Sequence, residues 1–96
     1  MLIVANWKAY VEELAKAKKL FTASKRLAAA TGSRIVLAPP APLLGALAVG
    51  NKSAVAFAAQ DVSATTGGAC TGEVTAQTYA TAGATYAIIG HSELRE

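Results

Sequence analysis

Leu2-Ile3-Val4-Ala5-Asn6-Trp7 is an apolar run interrupted only by Asn6, and Lys8 follows it directly. Short apolar runs of this kind mark parallel strands that are covered on both faces. Arg34–Ala38, Ser53–Gln60 and Thr85–Gly90 repeat the pattern, so four strands are expected. The segments between them read differently. From Glu12 to about Ala30, the positions Leu14, Ala17, Phe21, Ser24 and Ala28 recur at three- and four-residue steps, which predicts a helix stopped by Gly32. Pro39-Pro40 closes the second strand, and Pro42 to about Val49 is a short helix with proline in its first turn. Asp61–Gly72 is a polar, glycine-bearing loop, longer than an ordinary strand-to-helix connection. Glu73–Ala82 is a third helix with Gly83 past its end, and Ser92 is placed to cap a further helix with Glu93 in its first turn.

The resulting order is βαβαβαβ. Strand starts near Leu2, Arg34, Ser53 and Thr85 form a loose repeat without residue-level self-similarity. Crossovers of this length imply parallel, right-handed units within a single α/β domain over residues 1–96. Two architectures fit: a doubly wound open sheet, or the first half of a (β/α)8 barrel that needs about 250 residues. Periodicity does not choose between them.

Composition narrows the classes. Hydrophobic residues make up 53% of the chain, ample for a layered core. The longest apolar stretch, Ala38–Val49, is broken by three prolines and a glycine, whereas a membrane span needs about 20 apolar residues. Met1 runs straight into Leu2-Ile3-Val4 with no basic leader, so we expect no secretory signal and a cytoplasmic chain. Net charge is +3, and Lys16, Lys18, Lys19, Lys25 and Arg26 all fall in the first helix. No aromatics interleave them, and Glu12–Lys16 sits at i, i+4. We read a solvated helix face rather than a nucleic-acid or membrane patch. Cys70 is the sole cysteine, which excludes an internal disulfide and any C-x-x-C metal site, and we read it as a small apolar filler.

Candidate chemistry lies where strands end. Asn6 and Lys8 are two apart, so on an extended strand end both face one side while Trp7 packs on the other. Two readings of Lys8 stand: an ammonium awaiting a phosphate or a developing oxyanion, or a loop lysine reaching solvent. His91 is the only histidine. A lone histidine after a strand is more often structural than catalytic. Here it follows Gly90 and precedes a helix start, whose positive end favours a neutral imidazole able to donate to a carbonyl oxygen.

Asn6-Trp7-Lys8, Ala59-Gln60, Gly68-Ala69-Cys70-Thr71-Gly72-Glu73-Val74 and Ile89-Gly90-His91-Ser92-Glu93-x-Arg95 resemble, in order and spacing, the triosephosphate isomerase family. The resemblance runs along essentially the whole chain. It implies the amino-terminal half of a (β/α)8 barrel, which needs a complementary half or self-association. The implied reaction, part of glycolysis and gluconeogenesis, interconverts dihydroxyacetone phosphate and glyceraldehyde 3-phosphate through an enediolate, without metal or organic cofactor. By the same resemblance Asn6 and Lys8 bind substrate, Lys8 stabilises the enediolate, and His91 moves protons between the substrate oxygens; the neutral histidine is this family's own well-known device. Ser92 and Glu93 form a polar layer behind the site, and Arg95 is an ion-pair residue. The loop over residues 61–72 docks on a neighbouring subunit, bringing Thr71 and Gly72 near the partner's Asn6 and Lys8. Two positions depart from the family pattern: Cys70 stands where an aromatic is common, which weakens the docking, and Leu94 replaces a residue that is usually basic.

The family's catalytic glutamate, its mobile lid and its phosphate-gripping glycine loops have no counterpart among these residues. Glu12 and Glu13 start a helix and Glu73 follows the docking loop, so none replaces that base. The expected partner is therefore a carboxyl-terminal half of the barrel, as a separate chain or further sequence. The competing readings are a self-standing half-barrel or flavodoxin-like module that binds phosphate ligands without catalysis, and a structural assembly domain using the 61–72 loop.

Overall fold

The computed structural model describes residues 1–62 and 74–88. Seven elements alternate: β1 (Leu2–Asn6), α1 (Leu14–Thr31), β2 (Arg34–Ala38), α2 (Ala41–Ala48), β3 (Val55–Ala59), α3 (Ala76–Ala82) and β4 (Tyr86–Ala87). The four strands and the first three helices read from the pattern are present, some with shifted ends, while the further helix expected after Ser92 lies outside the described residues. Helix α1 begins at Leu14, because Glu13 is extended (φ −109°, ψ 136°) and offers no side-chain cap. Buried Val11 anchors the chain just before it. Glu12 thus precedes the helix, and the expected helical pairing with Lys16 does not apply. Helix α3 begins at Ala76 rather than Glu73, because Thr75 is a good cap and its hydroxyl accepts the Thr78 N–H at 3.2 Å. Strand β3 starts at Val55 because Asn51 captures the preceding backbone: its Oδ1 accepts the Ser53 N–H at 3.0 Å and its Nδ2 donates to the Val55 carbonyl at 2.7 Å.

The four strands form one parallel sheet in the order β1-β2-β3-β4, with Val4 opposite Val36, Val36 opposite Ala56, and Ala58 opposite Tyr86. A doubly wound sheet reverses its strand order and places helices on both faces. Neither occurs. Ala17, Phe21 and Ala28 of α1, Leu44 and Leu47 of α2, and Tyr79 of α3 share one core with Ile35, Leu37, Val55, Phe57 and Ala59. The opposite face has its own small cluster, Val36, Ala38 and Ala58 with Ala56 and Ile88, to which no helix among the described residues contributes. The flavodoxin-like alternative is therefore corrected: consecutive strand order, with α1, α2 and α3 on one face, is the singly wound arrangement of a (β/α)8 barrel.

The core is pinned where Phe21 meets Phe57 edge to face, with ring centroids 5.1 Å apart. The Lys25 ammonium caps Phe21, 4.4 Å from its ring centre. Lys16, Lys18, Lys19 and Arg26 are exposed with it on α1. No helix among the described residues is long and apolar enough to cross a membrane.

Candidate active site

The carboxyl end of β1 is built as a tight turn, not as an extension of the strand. Trp7 still donates its N–H to the Ala38 carbonyl at 3.0 Å, and its ring packs against the helix-side core as expected. The chain then reverses, with Tyr10 N–H bonded to the Trp7 carbonyl at 3.1 Å. Within this turn Lys8 adopts φ +51°, the one positive φ at a non-glycine position among the described residues. The strand-period argument that pairs Asn6 with Lys8 is thus corrected. A different bond brings them together: the Asn6 Oδ1 accepts the Lys8 backbone N–H at 2.8 Å. An Asn side chain closing on a backbone two residues ahead is an Asx turn, which locks both residues at the strand's mouth.

Gln60 completes the arrangement from the end of β3. Its Nε2 donates to the Lys8 carbonyl at 2.7 Å and to the Ala38 carbonyl at 2.9 Å. Both partners are carbonyl oxygens, so only the amide nitrogen can serve, and the amide orientation follows. The ends of β1, β2 and β3 are therefore tied by one half-buried side chain. Pattern reading noted Gln60 only as part of a motif and assigned it no role; a glutamine closing an apolar strand was the available signal.

A shallow cavity of about 250 Å³ adjoins the turn, lined by Ala9, Val11, Glu12, Pro40, Pro42 and Leu43. Its lining is apolar with one carboxylate, so it is not built for a phosphate. The concavity formed by Lys18, Lys19, Thr22, Ala23 and Arg26 belongs to the exposed surface of α1. Among the described residues no group of three His, Cys, Asp or Glu side chains could hold a metal ion.

His91, Ser92, Glu93 and Arg95 follow β4 in sequence and lie outside the described residues, as do Cys70, Thr71, Gly72, Glu73 and Leu94. The last described residue, Ile88, donates its N–H to the Ala59 carbonyl at 2.9 Å. The chain thus runs alongside the end of β3, next to Gln60, three positions before His91.

The family model described as Triosephosphate isomerase matches residues 1–96. The triosephosphate isomerase of Cupriavidus pinatubonensis is 43% identical over 95 residues, covering 98% of this chain and 38% of the relative. That of Deinococcus radiodurans is 40% identical, covering 99% of this chain and 39% of the relative. That of Thermus thermophilus is also 40% identical, covering 99% and 38%. The chain thus spans well under half the length of the curated relatives it matches.

Proposed function

Because the chain belongs to the triosephosphate isomerase family, we propose that its 96 residues supply the electrophilic side of an isomerase site acting on dihydroxyacetone phosphate and glyceraldehyde 3-phosphate. The observation that carries the reading is the turn at the end of β1, where Asn6 and Gln60 fix the main chain of Lys8. A lysine whose main chain is fixed at a strand mouth suits a reaction in which negative charge develops on substrate oxygens. Asn6 and Lys8 hold the substrate, and Lys8 stabilises the enediolate. His91, as a neutral imidazole, donates to the carbonyl oxygen and carries a proton between the two oxygens. The carbon-bound proton goes to a glutamate base contributed by the remainder of the barrel, since Glu12 and Glu13 lie exposed ahead of α1, away from such a task. Ser92, Glu93 and Arg95 support His91, and the 61–72 loop, with Thr71 and Gly72, meets a second copy.

The test is complementation. The chain is mixed with a polypeptide supplying the other four βα units of a family member, and conversion of glyceraldehyde 3-phosphate is followed. Activity is expected in the mixture and not in the chain alone, because electrophilic help does not replace proton abstraction. Lys8→Ala in the mixture should lower turnover by orders of magnitude. A folded but inactive mixture would favour a non-catalytic half-barrel, and enzyme-like turnover by the chain alone would refute the division of roles.

A further inference from the structure

Lys8 sits in a backbone conformation that costs an L-residue about 1–2 kcal/mol relative to the right-handed regions. Such a residue persists only where its surroundings over-determine it. Three contacts do so: Asn6 takes the Lys8 N–H, Gln60 takes the Lys8 carbonyl, and the Trp7 N–H is bonded to the Ala38 carbonyl that Gln60 also holds. Asn6 is the last residue of β1, in register with Ala38, and holds the turn from the strand it leaves. Trp7 ties the turn to β2, and Gln60 ties the Lys8 carbonyl itself to the end of β3, 52 residues along the chain.

We propose that Gln60 is a positioning residue for Lys8, acting through the Lys8 main chain and not by touching substrate. Glutamine suits the task for two reasons. One amide nitrogen carries two N–H donors, and the structure presents it with two carbonyl acceptors. Asparagine is a methylene shorter, and a glutamate carboxylate has no donor at neutral pH. When the amide is lost, the Lys8 carbonyl is released, the main chain relaxes towards negative φ, and the direction of the side chain from its Cα changes. A displacement of about 1 Å at a reacting group costs on the order of 100-fold in rate. The kinetic consequence rests on the isomerase reading; the geometry does not.

Two variants of the chain, Gln60→Met and Gln60→Glu, separate the two. The first readout is NMR of the folded chain, in which the strong intraresidue amide-to-Hα NOE of Lys8 reports positive φ. That NOE should weaken in both variants while α1 and the β2–β3 core keep their chemical shifts. The second readout is kinetic, in the complemented barrel: kcat/KM should fall about 100-fold. Gln60→Glu should regain part of the loss on acidification, relative to Gln60→Met, as the introduced carboxyl gains a donor. An unchanged Lys8 NOE in both variants overturns the proposal, and so does altered Lys8 geometry with unaltered kinetics. An inactive unsubstituted mixture sinks the isomerase reading and leaves the NOE to decide on Gln60. If neither variant folds, scalar couplings across the hydrogen bonds from Gln60 Nε2 to the Lys8 and Ala38 carbonyl carbons are sought in the unsubstituted chain. Their presence upholds the assignment and their absence overturns it.

Discussion

A lysine in the left-handed region at a strand end trades stability for direction, and the trade can be measured. Glycine accepts φ +51° at no steric cost, while alanine bears the same penalty as lysine. Lys8→Gly should therefore unfold with a free energy about 1 kcal/mol higher than Lys8→Ala in urea titrations. Both should lose turnover by orders of magnitude in the complemented barrel, since both lack the ammonium. Equal stabilities would mean that the turn is unstrained. Tyr79 offers a second single-residue test. Burial, and then the Asp61 carboxylate, raise its hydroxyl pKa above the ordinary 10.0. The unfolded chain ionises this phenol first, so the stabilisation is complete below pH 10 and is lost as pH rises through the folded value. Urea midpoints measured from pH 8 to 11 should fall more steeply for the unsubstituted chain than for Tyr79→Phe. Parallel curves would remove Tyr79 from the alkaline response.

At the scale of elements, two glycines end helices and are not equivalent. Gly32 closes α1 at φ +69° with its N–H on the Ala28 carbonyl, and a methyl group there would meet nothing within 4 Å. Gly83 closes α3 at φ +114°, and a methyl group there would lie 2.6 Å from the Ala48 Cβ at the end of α2. Gly32→Ala should cost only the conformational penalty of about 1–2 kcal/mol. Gly83→Ala adds overpacking between α2 and α3, for a total of about 2–4 kcal/mol. Thermal or urea unfolding of the two variants measures the difference, and similar losses would mean that α2 moves aside freely. The same glycine signal in the sequence thus covers two physical situations, an open cap and a close helix contact.

For the whole molecule, the asymmetry of the sheet matters most. Helices bury one face, while β1 on the other face leaves Leu2 58% and Val4 55% exposed. Val4 pairs with Val36 on the helix-free side. Val4→Lys should shift the stability of the chain by no more than about 1 kcal/mol, as expected for an exposed strand position. In the complemented barrel the same ammonium would face an apolar interior without a partner, so assembly and activity should both be lost. Assembly at unchanged affinity, measured by analytical ultracentrifugation of the mixture, would contradict closure over this face.

Apolar runs, helical spacing and glycine stops were enough to place all seven elements, because each is a local consequence of side-chain period and backbone freedom. They also marked Asn6, Lys8 and Trp7 at the first strand's mouth. Ends moved wherever a side chain competed for the backbone, as Asn51 and Thr75 do. The strand order, the placement of α1, α2 and α3 on one face, the left-handed Lys8 and the two carbonyls met by Gln60 were decided by tertiary structure alone. Each depends on which distant segments pair: Gln60 reaches Lys8 only because β2 lies between β1 and β3. A chain's periodicity says which residues turn inward, but the identity of the carbonyl that meets a given amide is a property of the assembled sheet.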